Sequence, residues 1–295
     1  MPALIEDARA KVNLSLRVVG RRVDGYHDLE SVVAFADCAD RLGFAPGSVL
    51  SLTTSGPLAG DFGETADNLV LKAAQLLGEH VPDLRLGDFT LDKLLPVAAG
   101  IGGGSADAAA ALRLLAQANG LAVDDPRLIE VAQLTGADVP VCLASRACVM
   151  TGVGDTLLPL CLPKLPCVLV NPRVPVATRD VFEALGLRNG ELLVGAADVF
   201  LQDRGWPEAG ASLEDWVEAL AASCNDLEAP ATRIAPVIGD VISALSATNG
   251  AWLTRMSGSG ATCFAIFENT ADAQRAAQKL QIDRPLWWVH AGVLS

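Results

Sequence analysis

The sequence predicts an α+β protein of two domains, and three observations carry that reading. Strand-period and helix-period segments mix without a regular βαβ repeat, which disfavours a doubly wound parallel sheet. The 295 residues exceed the roughly 100–200 of one ordinary domain. The proline-studded stretch "LPLCLPKLPC" at 158–167 then offers the best break, giving expected domains of 1–162 and 163–295.

The elements follow in order. "AKVNLSLRV" alternates strictly, with Val12, Leu14, Leu16 and Val18 on one face and Lys11, Asn13, Ser15 and Arg17 on the other. That period predicts a half-buried strand. Asp24-Gly25 predicts a turn, and "VLSLTTS" and "FTLDKLLP" two further strands. Between them "DNLVLKAAQLLGEH" repeats Val70, Ala73, Ala74 and Leu77 at helical spacing, with Asp67 as the expected N-cap. A helix rich in alanine and leucine runs from Ser105 to Ala118 and stops at Gly120. "DDPRLIEVAQLTG" predicts another, capped by Asp125, with Pro126 first in the helix and Gly136 past its end. "ACVMTGVGDTLLPL" predicts a hairpin around Gly152–Asp155. Beyond the break come a strand at Cys167–Asn171, a short helix at Val181–Leu185 and a polar, Gly-rich connection over 186–212. Helices at about 213–222 and 230–247 precede a strand, a glycine turn, a strand, a helix and the closing strand in "LWWVHAGVL".

Composition narrows the function classes. Apolar residues make up 51% and charged residues 19%, enough for a sizeable core. With 22 basic against 35 acidic residues the net charge is −13, so no nucleic acid or anionic membrane is expected as a partner. A small anionic substrate stays compatible, because local amides and one lysine outweigh distant charge. The seven cysteines include no C-x-x-C pair and the three histidines are far apart, so zinc-site spacing is absent. An odd number of cysteines, an N-terminal segment carrying Glu6, Asp7, Arg9 and Lys11, and no apolar run of membrane-spanning length together imply a cytoplasmic protein. Nothing in the sequence points to an obligate protein partner.

The run "GIGGGSADAAAAL" places Gly100, Gly102, Gly103 and Gly104 within five positions at the start of a helix. Such glycines widen the unfolded ensemble, a cost accepted where something must come close to the backbone. A Walker loop needs a lysine before Ser105, and there is none. A dinucleotide fingerprint needs a third glycine where Ser105 stands and an acidic strand end about 20 residues on; neither is present. Two readings remain from the residues alone: a turn that merely packs closely, or amides from Gly102 to Ala106 converging on an anion at a positive helix end. In the second, the Ser105 hydroxyl caps the helix or turns to a phosphate or a magnesium ion.

The stretch from Pro96 to Asp107, "PVAAGIGGGSAD", resembles the P-x-x-x-G-[LIM]-[GAS]-G-G-S-[SA]-[DN] signature of the GHMP kinases. The resemblance extends through "AKVNLSL", "RRVDGYHDLESV", "GADVPVCL" and "MSGSGATCFAIF", in the family's order, and is weakest over 186–225. It implies an N-terminal domain like the second domain of ribosomal protein S5 and a ferredoxin-like C-terminal domain. It also implies ATP as phosphoryl donor, with Mg2+, and an acceptor carrying a cytidine diphosphate moiety on a methylerythritol unit.

By the same resemblance Lys11 and Asp138 are the catalytic pair, Asp138 as base or orienting group for the hydroxyl. Asn68, Lys93, Pro96, Gly100, Gly102, Gly103, Gly104, Ser105 and Ala106 are the expected ATP residues. Ala106 stands where relatives often carry a second serine. Asn13, Tyr26, His27, Asp138, Phe182, Ser257, Gly258 and Gly260 are expected at the acceptor, Tyr26 stacking on the base and His27 reading its edge. Ser105, with Asp138, is a candidate magnesium ligand. The residues taken singly allow plainer readings: Lys11 and Asn13, about 7 Å apart on one strand face, could be solvated, and Phe182 could be core. Homoserine or mevalonate as acceptor, or a nucleotide sensor without catalysis, are the alternatives. A sensor has no use for a base, and neither of those acceptors has a ring for Tyr26.

Overall fold

The computed structural model describes residues 4–61, 68–193 and 205–295. In chain order the first strands are β1 (Leu4–Asn13), β2 (Arg17–Arg21), β3 (His27–Pro46) and β4 (Ser51–Ser55). After them come α1 (Leu69–His80), β5 (Gly87–Asp92), α2 (Gly103–Asn119), α3 (Pro126–Thr135) and α4 (Val139–Ala144). The chain continues through β6 (Cys148–Gly152), β7 (Thr156–Pro159), β8 (Leu165–Asn171) and α5 (Thr178–Glu183). It closes with α6 (Leu213–Ala221), α7 (Glu228–Ile234), α8 (Val237–Ser246), β9 (Ala251–Met256), β10 (Cys263–Phe267), α9 (Thr270–Asp283) and β11 (Trp288–Leu294). The α+β expectation holds.

The residues pack as two compact units, each drawn from separate stretches of sequence. One comprises 1–11, 38–97 and 102–145; the other comprises 12–37, 98–101 and 146–295. This grouping does not follow a single cut at 162/163, because β3 is one long strand whose first half pairs in one unit and whose second half pairs in the other.

In the first unit, β5 pairs antiparallel with the end of β3 and parallel with β4. Helix α1 packs on α2 and α3, and α2 on α4. The run Ala108–Ala111 is fully buried, which suits a helix enclosed by neighbours on most sides, since small side chains let helices approach closely. Asp67, the expected cap of α1, lies outside the described residues. The cap is Asn68, whose side chain accepts from the Val70 amide.

In the second unit, β8 is flanked by β10 and β11, and β10 by β9, all antiparallel. Numbered among themselves, β8, β9, β10 and β11 lie in the order 4-1-3-2, with helices between the first and second strands and between the third and fourth, which is the ferredoxin-like arrangement. Val168, Val170, Ala265 and Phe267 of this sheet meet Ile238, Val241 and Leu245 of α8 and Ala273 and Leu280 of α9 in one core. The expected single helix over 230–247 is two, α7 and α8. Pro236 has no amide hydrogen with which to carry the ladder across. The hairpin of β6 and β7 forms as expected. Residues 186–193 and 205–212 of the expected connection lie outside helices, and the remainder is not among the described residues.

One strand departs from its predicted exposure. The predicted strand over 10–18 is two, with β1 ending at Asn13 and β2 beginning at Arg17, and Lys11, Asn13 and Ser15 are buried along with the apolar residues. Alternation marks a strand with one wet face only when nothing covers the polar side.

Candidate active site

Helix α2 starts at Gly103, two residues before the expected start, because its cap is Gly102 rather than Ser105. Gly102 takes φ 63° and ψ 22°, the left-handed region that glycine enters without penalty, and makes no side-chain cap. A Cβ there would stand 3.3 Å from the Lys11 side chain. Ser105 therefore sits inside the first turn, where amides lack partners within the helix. The Ala106 amide already donates to the Gly102 carbonyl at 2.8 Å. The expected cradle thus narrows to Gly103, Gly104 and Ser105, and Ala106 is a buried packing residue.

Lys93, expected at ATP, is buried beneath this turn. Its Nζ donates to Asp40 Oδ2 and, at 2.9 Å, to Asp107 Oδ2. Asp40 Oδ1 accepts the Leu94 and Leu95 amides at 2.6 and 2.8 Å. Burial works against the Lys93 charge, but the two carboxylates more than offset it and hold its pKa above the ordinary value. Burial and the neighbouring Asp40 push the Asp107 carboxyl up to about 7 in spite of Lys93. Withdrawing such ions from water costs several kcal/mol each before pairing. Asp40 and Asp107 had no role in the sequence reading. Asp107 stood inside the motif, but Asp40 carried no local pattern to mark it.

Lys11 and Asp138 meet. Lys11 Nζ donates to Asp138 Oδ2 at 2.8 Å, the lysine side chain 5% exposed and the carboxylate side chain 36%. Asp138 precedes α4 but makes no capping bond with its side chain, and Pro140 in the first turn leaves one amide fewer to cap. The carboxylate is thereby left to the lysine and to solvent. Cys142 nearby is a neutral thiol, its pKa pushed up to about 12 by burial and then by Asp138, so it offers no rival base.

The second unit holds another group of expected residues. His27 stacks on Phe182 with ring centroids 4.6 Å apart and planes 28° from parallel. Phe182, expected at the acceptor, therefore partners His27 directly. His27 Nε2 is buried without a hydrogen-bond partner among the described residues, and burial, then the Arg21 charge, holds its pKa below the usual 6.5. Tyr26 is 62% exposed at the turn held by Asp24.

Ser257, expected at the acceptor, is fully buried. Its hydroxyl accepts from the Asn13 amide at 3.0 Å and donates to the Gly100 carbonyl at 2.9 Å. The side chain thus ties a strand end to the glycine run. Asn13 donates to Ser31 Oγ at 2.7 Å and leaves its Oδ1 without a partner among the described residues. Gly258 and Gly260 both have positive φ, and a Cβ on Gly258 would stand 2.8 Å from the Gly100 carbonyl. Pro96 adjoins the loop, and Asn68 is occupied in capping α1.

Comparison with known proteins decides what these parts belong to. Family models for the GHMP kinases N terminal domain and the GHMP kinases C terminal match residues 68–146 and 209–284. A relative from Bradyrhizobium diazoefficiens, named 4-diphosphocytidyl-2-C-methyl-D-erythritol kinase, is 71% identical over 295 residues, with 100% of this chain and 99% of the relative covered. This chain belongs to the GHMP kinases.

A second relative of the same name, from Rhodopseudomonas palustris (strain HaA2), is 68% identical over 293 residues, with 99% of each chain covered. A crystal structure of 4-(cytidine 5'-diphospho)-2C-methyl-D-erythritol kinase superposes on this GHMP kinase with TM-score 0.75 at 35% identity, covering 99% of both chains. Homoserine kinase from Cytophaga hutchinsonii, at TM-score 0.73 and 20% identity over 100% of this chain and 95% of its own, shares the fold. Among the described residues no helix of this GHMP kinase is long and apolar enough to cross a membrane.

Proposed function

We propose that this GHMP kinase transfers the γ-phosphoryl group of ATP to the 2-hydroxyl of 4-diphosphocytidyl-2-C-methyl-D-erythritol, in the methylerythritol phosphate route to isoprenoid precursors. The names of its relatives support the acceptor. The Lys11–Asp138 pair carries the chemistry: a half-exposed carboxylate held 2.8 Å from an ammonium. As the acceptor oxygen bonds to phosphorus, its proton passes to Asp138. Lys11 orients that carboxylate and offsets negative charge on the transferred group. No covalent intermediate is needed. The triphosphate lies against the amides of Gly103, Gly104 and Ser105, where the positive end of α2 favours an anion.

Among the described residues no cluster of three His, Cys, Asp or Glu side chains could cage a metal. That fits Mg2+ as an ion brought by phosphates, which needs only one or two protein oxygens. Ser105 and Asp138 are the proposed contributors, and a bound Mg2+ would neutralise phosphate charge during transfer. We further assign the protein to the cytoplasm and keep 1–162 and 163–295 as its two domains, since each family match falls on one side of that boundary.

Tyr26, His27 and Phe182 hold the cytosine in this reading. The exposed tyrosine ring is available to stack, and His27, stacked on Phe182, keeps a ring nitrogen without a partner among the described residues. Tyr26→Ala is expected to raise KM for the cytidyl acceptor about tenfold and leave KM for ATP unchanged, consistent with a lost stacking contact. An unmoved acceptor KM removes the tyrosine from the site. His27 acts as the neutral ring, so acceptor KM should be flat above pH 6.5 and rise as pH falls through the lowered pKa. Its linkage to stability has the same sign, since the unfolded chain binds the proton more readily: stability is complete above 6.5 and declines below it.

The assignment is tested by ATP consumption with purified protein and three acceptors in parallel: 4-diphosphocytidyl-methylerythritol, homoserine and mevalonate. Turnover with the first alone is expected. Turnover only with one of the others overturns the acceptor, and silence with all three favours a sensor.

A further inference from the structure

The buried triad of Asp40, Lys93 and Asp107 is used by no step above. It joins three segments: Asp40 from β3, Lys93 from the stretch after β5, and Asp107 from the second turn of α2. Asp40 also fixes the Leu94 and Leu95 amides, so the segment leading into the glycine run is held at three successive residues. Lys93 is anchored in its backbone as well, donating to the Ser55 carbonyl and accepting from the Leu58 amide. Above the triad stands the first residue of α2. A Cβ on Gly103 would lie 3.8 Å from Lys93 Nζ and 3.8 Å from Asp40 Oδ2.

Cohesion alone does not account for these three buried ionisable groups. Apolar side chains of similar volume fill such a space with equal or better stability, whereas ions give directional bonds that fix one arrangement. Here the direction fixed is that of the α2 N-terminus, whose two glycines have no side chains of their own to hold them. We infer that Asp40, Lys93 and Asp107 are positioning residues for the nucleotide, locking the first turn of α2 so that the Gly103, Gly104 and Ser105 amides stay aimed at the phosphates. Lys93 thus serves ATP from below the loop rather than by touching it. The inference rests on the ATP reading of the glycine loop.

The test measures binding of an ATP analogue by calorimetry alongside steady-state kinetics on the full chain. In the triple variant Asp40→Asn, Lys93→Met, Asp107→Leu, which keeps an oxygen for the Leu94 and Leu95 amides, the fold should be retained while ATP affinity falls at least tenfold. KM for the cytidyl acceptor should stay within about twofold. Asp107→Asn is the milder second variant. It keeps an oxygen for Lys93, and its KM for ATP should rise about three- to tenfold with acceptor KM unmoved. If the triple variant does not fold, the asparagine variant decides. Unchanged ATP affinity in a folded variant, or equal loss for both substrates, overturns the positioning role. A wild-type protein that does not bind the analogue overturns the ATP reading instead, so the two failures are distinguishable.

Discussion

Asp138→Asn is expected to lower kcat by about 10²- to 10⁴-fold, the scale of losing a general base. The substitution preserves shape, and Asp138 makes no capping bond whose loss would disturb α4. The amide can still accept from Lys11 through its oxygen, so the geometry at 2.8 Å survives while the basicity is gone. Lys11→Met should cost on the order of 10²- to 10³-fold by removing charge stabilisation. It also leaves the carboxylate without its partner. The double variant should therefore be little slower than Asp138→Asn alone, because groups acting as a unit are not additive. Steady-state and single-turnover rates check this. If Asp138→Asn keeps kcat within fivefold, Asp138 only orients the hydroxyl and the proton leaves by another route.

Two glycines of one loop should respond in opposite ways to the same substitution. Gly100→Ala is expected to destabilise the protein by about 2–5 kcal/mol, combining left-handed strain with overpacking. Gly100 has φ +72°, and a Cβ would stand 2.5 Å from the Ser257 carbonyl and 2.7 Å from both the Gly260 amide nitrogen and carbonyl. All three are backbone atoms, so no side chain can rotate away. At this chain length the loss corresponds to a fall in Tm of very roughly 5–20 °C. Gly104 is already helical, and among the described residues only Leu69 Cδ1 comes within reach, at 3.8 Å. Gly104→Ala should stabilise by up to about 1 kcal/mol. At the proposed triphosphate site the added methyl would stand where phosphate oxygens approach, so KM for ATP should rise. Thermal unfolding and ATP kinetics on the pair separate the packing glycine from the proposed binding glycine. A Gly100→Ala protein melting within 2 °C of wild type would contradict the geometry.

Much of the site was legible because its chemistry is local in sequence. The glycine run, its helix and the stop at Gly120 follow from backbone propensities that act over a few residues. The Asp125 cap and the hairpin around Gly152–Asp155 are equally local. Burial was less legible. Lys11, Asn13 and Ser15 were read as one wet face of a strand, and nothing in eight residues says what packs over them.

Residue types and order by themselves determined an α+β chain with a glycine run opening a helix, and through resemblance the residues expected to accompany it. Tertiary structure decided which of those residues are buried among protein partners and hold others in place. Ser257 ties the glycine run to β1, and Lys93 belongs to a buried triad with Asp40, 53 positions away in the chain. The reason is physical. A lysine or serine is chemically the same at a phosphate or in a core, and only the partners that folding delivers, with the water they exclude, settle which role its charge or hydroxyl takes.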